Sequence, residues 1–357
     1  MGRIKIELPN ESFYVEIEGD TPTVKDQIAI NKLIRERRRV SSPTTQQQIS
    51  SAEPEQKFDT KSGIQNFKLR SALATAENDE EQVNVLKRFG LSDGDFARDK
   101  RGRLAVTKQG AKKLGIDLVI ESTGVFTDRE KAEMHLNAGA ERVLISAPSK
   151  NPDITVVYGI NHKMIKDKHK IISNGSCTTN CLAPIAFLMD NSVGIESGYM
   201  TTVHSVTGDQ NTIDTLHKDL RRARNSLVSI IPTSTGAARA MGEVLPNLKG
   251  KIDGSAIRVP TPNVSLVDFK FYSKKPTTPS ELKNIFLKAE NHELKSIIQT
   301  VSDPMVSGDF NHNPHSSIID LSEINVIKDN FCRILSWYDN EWGFSNRLLD
   351  VIKDIIQ

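Results

Sequence analysis

The sequence predicts an α/β fold for its middle section, a parallel sheet with ligands beyond the carboxyl ends of its strands, and three observations predict it. Residues 117–121, DLVIE, form a short apolar run that stops at Ser122-Thr123-Gly124. A helix-length pattern, DREKAEMHLNAGA, then leads to a second apolar run over residues 142–146. Two further runs follow, TVVYGI and the Ile171-Ile172 pair. Strands separated by one helix-length crossover lie parallel, and such sheets bind ligands where the strands end. STG after the first strand and SAPS after the second occupy such ends, which makes Ser122, Thr123, Gly124, Ser146 and Ala147 candidate ligand-binding residues.

Taken in order, residues 1–40 read as a hairpin and a helix. Ile4, Ile6 and Leu8 alternate with charged residues, Phe13, Val15 and Ile17 do the same, and Ile28, Leu33 and Ile34 carry a helical period. Residues 41–66 shift to Ser, Thr, Gln and Pro and read as a disordered linker. Residues 67–112 read as a small helical segment, with Asp79 or Asn78 capping a helix through Val83, Val85, Leu86 and Phe89, then a glycine-broken stretch RGRLAVTKQGAKKLG.

Composition excludes several classes. The 357 residues carry 47 basic and 45 acidic side chains, a net charge of +2 that gives no global attraction to nucleic acid or membrane. No stretch approaches a membrane span and the start has no apolar leader pattern, so the expectation is a cytoplasmic protein. No metal site is expected. There the three cysteines, Cys177, Cys181 and Cys332, are reduced, and a reactive thiol becomes the question. Cys177 follows a strand and precedes TTNCLAPIAFLM, a helical pattern, so it falls at a helix N-terminus where free N–H groups and the helix dipole favour a thiolate. Cys181 lies one turn inside the helix and reads as a packing residue. The bland alternative for Cys177 is a small buried hydrophobe.

Five separated blocks now bear on that choice: SNGSCTTNCLAP, TTVHSVTGDQNTIDTLHKDLRRAR, IIPTSTGAARA, GSAIRVPTPNVSLVDF and SWYDNEWGFSNRLLD. Together, over roughly residues 113–357, they resemble phosphorylating glyceraldehyde-3-phosphate dehydrogenase in composition and order. The resemblance implies an α/β plus α+β architecture. A partial Rossmann-type parallel sheet over 113–176 is followed by a catalytic domain with a mixed or antiparallel sheet over 177–344, and a C-terminal helix over 345–357 packs back on the cofactor domain. An unrelated segment precedes them.

The same resemblance implies site roles. Cys177 is the nucleophile that adds to an aldehyde, and His204 takes its proton. Thr207 and Arg258 hold the substrate's phosphate; Ser176, Thr178, Thr235 and Gly236 hold the attacking inorganic phosphate. Asn340 orients the nicotinamide of NAD, with NADP as an alternative. The implied assembly is a homotetramer, with the RRAR run at 221–224 in a subunit interface rather than on nucleic acid. Taken alone, Arg258 reads more readily as a plain ion-pair partner, and His204 reads equally as a core histidine.

Departures from the family pattern are as informative. Residues 1–112 contain no Gly-x-Gly-x-x-Gly turn, the device that seats a dinucleotide pyrophosphate on a helix start, so weak cofactor binding is expected. Thr215-Leu216, Gly175 and Phe344 stand where Leu-Pro, Ala and Tyr are common. The alternative to an active dehydrogenase is a catalytic domain fused to an unrelated binding or structural module and left with acyl-phosphatase chemistry.

Overall fold

The computed structural model describes residues 2–8, 11–17, 79–88, 91–98, 104–106 and 115–356, in two units, Met1–Phe58 and Asp59–Gln357. The helix expected around residue 30 and the linker at 41–66 lie outside the described residues. In the first unit, β1 (Gly2–Leu8) and β2 (Glu11–Ile17) form an antiparallel hairpin with Leu8 opposite Glu11 and Gly2 opposite Ile17. Its register sets Ile4 opposite Val15 and Ile6 opposite Phe13, as the period-two alternation requires.

The second unit begins with α1 (Asp79–Arg88), whose last turn carries Lys87 and Arg88 where the helix dipole favours cations. Here the helical expectation for 67–112 needs correction, because β3 (Phe96–Arg98) and β4 (Leu104–Val106) pair as an antiparallel ribbon. Three residues are too few for a helical period to be told from a strand in sequence.

Next come β5 (Leu118–Glu121), α2 (Arg129–Asn137), β6 (Arg142–Ile145), β7 (Ile154–Thr155) and β8 (Ile171–Ser173). The strands form a parallel sheet in the order β5-β6-β8-β7. Val143, Leu144 and Ile145 are fully buried in succession, the run expected of a strand covered on both faces. TVVYGI supplies less strand than its composition suggests. Asn161 Oδ1 accepts from the Val157 N–H at 2.8 Å and its Nδ2 donates to the Thr155 carbonyl at 2.9 Å, drawing the chain into a turn after Thr155.

The remainder is α3 (Cys177–Ser192), β9 (Ile195–His204), β10 (Ile231–Ser234), α4 (Ala237–Val244), β11 (Ile252–Arg258), β12 (Ser265–Ser273), α5 (Pro279–Asn291), β13 (Ile298–Val301), β14 (Ser317–Asp320), β15 (Asn325–Ile327), β16 (Phe331–Tyr338) and α6 (Trp342–Ile356). Its eight strands make one mixed sheet, in which β9 runs parallel to β11 and antiparallel to β12. α3, α4 and α5 cover it with Leu182, Ile185, Met241 and Phe286 against Phe269 and Phe271. Burying this apolar surface is the main stabilising term. α6 begins three residues before the expected Phe344–Ser345 boundary, because Asp339 Oδ1 accepts from the N–H groups of Glu341 and Trp342 at 2.9 and 2.8 Å. Val351 then packs with Leu144 and Ile172 of the parallel sheet. No helix among the described residues is long and apolar enough to cross a membrane.

Candidate active site

Cys177 is the first residue of α3. The chain reaches it through a tight loop in which Gly175 has φ of +63°, the left-handed region that glycine enters without strain. Ser176 caps the helix, its hydroxyl accepting from the Thr179 N–H at 3.0 Å. Asn180 braces the loop from inside, donating to the carbonyls of Asn174 at 2.9 Å and Ser176 at 3.0 Å. The sulfur of Cys177 lies 3.5 Å from His204 Nε2. Cys181 is fully buried, its thiol donating toward Ser336 Oγ at 3.5 Å, and burial pushes its pKa up to about 12. It packs rather than reacts.

His204 ends β9, and the parallel register with β11 sets Arg258 directly beside it. Arg258 Nη1 lies 2.7 Å from His204 Nδ1 and donates to the Ser205 carbonyl at 3.1 Å and Thr207 Oγ1 at 3.0 Å. The Thr207 hydroxyl in turn donates to Asp209. Arg258 Nε is buried with no partner among the described residues. Cys177, His204, Thr207 and Arg258 thus converge, although the helix and strands that carry them are far apart in sequence.

The protonation states differ from the expected thiolate. Burial of the sulfur raises the Cys177 pKa, and this outweighs the Thr178 hydroxyl and N–H and the Arg258 charge, which pull it down. Burial first, and the Arg258 charge second, lower His204 to about 4. The resting pair is therefore a neutral thiol beside a neutral imidazole. An imidazole near 6.5 in the unfolded chain takes up a proton that the folded one refuses as pH falls from about 6.5 to 4. Its contribution to stability is complete above that window and lost within it, by about 3 kcal/mol at pH 4. Urea unfolding at pH 7, 5.5 and 4 should show a shallower acid decline for His204→Gln than for the unmodified protein. Equal declines would mean the ring does not resist protonation.

The other expected residues are distributed as follows. Thr178 joins Tyr338 at 2.8 Å through their hydroxyls, and Tyr338 reaches Thr202 at 2.9 Å. Thr235 and Gly236 stand at the start of α4, where Thr235 Oγ1 accepts from the Ala237 N–H at 3.2 Å. No hydrogen bond among the described residues joins them to Cys177, His204 or Arg258. Ser122, Thr123 and Gly124 follow β5, and Thr123 donates its hydroxyl and its N–H to the buried Glu121 carboxylate, which His135 also contacts at 2.8 Å. Ser146 and Ala147 follow β6, and Ser173 Oγ donates to the Ala147 carbonyl at 2.8 Å. Asn340 is buried, and its Oδ1 accepts from Ser205 Oγ at 2.9 Å and Ser265 Oγ at 2.8 Å. This fixes the amide with its NH2 turned away from both serines.

Sequence reasoning missed Tyr338, Ser205, Ser265, Asp209 and Asp339. Tyr338 and Asp339 stand beside Asn340 in WYDN and Asp209 follows Thr207 in TGD, so proximity was an available signal. The same signal marked Ser205, which follows His204, whereas nothing in the sequence marked Ser265. Two of the three arginines of the RRAR run are ion-paired: Arg222 with Asp209 at 2.9 Å and Arg224 with Asp214 at 3.3 Å.

Residues 176–340 match the family model described as the C-terminal domain of glyceraldehyde 3-phosphate dehydrogenase. A glyceraldehyde-3-phosphate dehydrogenase of Xanthobacter flavus is 56% identical over 239 residues, 67% of this chain and 71% of that protein. One from Cereibacter sphaeroides is 53% identical over 236 residues, covering 66% and 71%. Glyceraldehyde-3-phosphate dehydrogenase 2 of Bacillus subtilis strain 168 is 49% identical over 245 residues, covering 68% and 72%.

Proposed function

We propose that this chain, which belongs to the glyceraldehyde-3-phosphate dehydrogenase family, oxidises an aldehyde phosphate to an acyl phosphate through a covalent adduct on Cys177. The observation that carries the reading is a helix-start sulfur 3.5 Å from an imidazole nitrogen, with an unsaturated arginine beside the same ring. His204 Nε2 takes the thiol proton as Sγ adds to the aldehyde carbon. The adduct's oxygen is held by the Cys177 N–H at the start of α3. Arg258 and Thr207 grip the substrate's phosphate by a charge-assisted fork and a hydroxyl. Ser176, Thr178, Thr235 and Gly236 receive the inorganic phosphate that cleaves the thioester.

The nicotinamide end of a cofactor fits this chain. With Asn340 Oδ1 held by two serine hydroxyls, the NH2 is the donor left for a carboxamide carbonyl. When bound, NAD or NADP supplies the hydride acceptor. Ser122, Thr123, Gly124, Ser146 and Ala147, at the ends of β5 and β6, are assigned to the rest of the cofactor. The pyrophosphate end is poorer, because residues 1–112 contain no glycine-rich turn. These residues form an N-terminal segment unrelated to the usual cofactor half, comprising 1–40, 41–66 and 67–112. Homo-oligomer assembly rests on a loop that leaves Leu216, Leu220, Val228 and Ile230 exposed.

The missing turn also favours a second reading, in which the catalytic domain hydrolyses acyl phosphates without redox chemistry. Calorimetric titration with NAD and with NADP, alongside turnover on glyceraldehyde 3-phosphate and erythrose 4-phosphate with inorganic phosphate, separates the two. We expect aldehyde-dependent cofactor reduction with a weak cofactor Kd, each 1.4 kcal/mol of lost binding costing about tenfold. No reduction at saturating cofactor, with acyl phosphate hydrolysis retained, overturns the dehydrogenase reading. Low-micromolar cofactor binding would instead make residues 1–112 a nucleotide-binding half.

A further inference from the structure

We propose that Glu121 and His135 are positioning residues for the dinucleotide, a buried carboxylate and an imidazole that together close the turn at residues 122–125 and fix the face it offers to the cofactor. The inference rests on the cofactor reading above and adds to it two residues that touch no ligand themselves.

The turn stands at the carboxyl end of β5, where a parallel sheet binds its ligands. Its residues are exposed, whereas Glu121, just before it, is buried. A carboxylate so placed needs donors, and three reach it. Thr123 gives Oε1 its N–H at 2.7 Å and its hydroxyl hydrogen, and His135 Nε2 donates to Oε2 at 2.8 Å. Nε2 carries its hydrogen here because a carboxylate only accepts. The single hydroxyl hydrogen of Thr123 is spent on Glu121, and its oxygen accepts from the Val125 N–H at 3.1 Å. Burial pushes the Glu121 pKa up, but the Thr123 hydroxyl and N–H together with His135 outweigh it and hold the group below its ordinary value.

His135 closes the turn from both sides. It lies in the last turn of α2, where the helix dipole favours a donor of positive character, and its ring stands 5.3 Å from that of Phe126, the residue after the turn. Glu121 before the turn and Phe126 after it thus meet the same side chain. Thr123 is drawn inward and has no hydrogen left for a ligand. Ser122 and Gly124 differ. Neither Ser122 Oγ nor the Gly124 N–H has a hydrogen-bond partner among the described residues. Gly124 has φ of +74°, and a Cβ built there would meet nothing within 4 Å, so a ligand can approach its backbone. The turn therefore presents two unused donors in a form held from behind, and a preorganised site spends less of its binding energy on ordering itself. With no glycine-rich turn in residues 1–112, this end of the sheet carries a larger share of cofactor affinity.

His135→Leu removes the donor and keeps an apolar side chain beside Phe126, while His135→Gln returns a donor near the position of Nε2. In calorimetric titration of the full chain with NAD, His135→Leu should weaken Kd about tenfold, and His135→Gln should bind as the unmodified protein does. In steady-state turnover His135→Leu should raise the KM for NAD by the same factor and leave kcat and the KM for the aldehyde in place. Hydrogen exchange over residues 122–126, read by mass spectrometry without cofactor, should quicken in His135→Leu and return to its original rate in His135→Gln. Thr123→Val, which takes away the hydroxyl donor at constant shape, should act in the same direction and serves where His135→Leu does not fold. An unchanged Kd in both His135→Leu and Thr123→Val overturns the proposal. So does a fall in kcat that matches the loss of affinity, which would make the contacts a general support of the fold. An unmodified protein that binds no NAD would instead remove the cofactor reading, and the exchange rates would still decide whether His135 holds the turn.

Discussion

Cys177→Ser is expected to lower kcat on the order of 10^4-fold or more, about 5 kcal/mol of transition-state stabilisation, with little change in unfolding temperature. The substitution keeps the helix cap, the Asn180 brace and the anion-holding side chains, and removes only the sulfur. A serine hydroxyl at the same place ionises far less readily than a thiol, and the burial that already raises the Cys177 pKa makes an alkoxide harder still. Steady-state turnover with matched thermal melts checks this. Residual activity within tenfold of the unmodified protein would mean that no covalent adduct forms on residue 177.

His204→Asn should cost about 10^2 to 10^4 in kcat, the usual range for removing a general base, and should also change the shape of the pH profile. In the free protein His204 is lowered to about 4, so the acid limb of kcat/KM should lie below the ordinary histidine range. Without the imidazole, the rate should follow ionisation of a thiol whose pKa is raised, and climb through the alkaline range instead. A rate loss with an unshifted profile would leave His204 a structural role only.

Much of this site was legible from local pattern. Cys177 could be placed at a helix start because a strand, a glycine loop and a helical period follow one another within some twenty residues. The parallel sheet over β5, β6 and β8 was legible for a similar reason, one helix between two apolar runs. What pattern could not supply was register. His204 and Arg258 are neighbours only because β9 and β11 run parallel with those two residues opposite, 54 positions apart in sequence. Tyr338 reaches Thr178 across 160 positions. The expected thiolate failed on burial, a property of the folded surroundings that no helix-start argument contains. TVVYGI read as a strand because its β-branched residues outweighed a single asparagine that folds the chain back on itself.

The bracing of Cys177 has a mechanical side. Pro184 lies inside α3 and has no N–H, so the Asn180 carbonyl lacks the usual bond from four residues on, while the Asn180 side chain is tied backward to Asn174 and Ser176. The reactive turn is thus coupled more firmly to the loop before it than to the helical shaft behind it. The gap in the hydrogen-bond ladder at Pro184 is the weakest point of α3 against bending, and it lies beyond the turn that carries the sulfur.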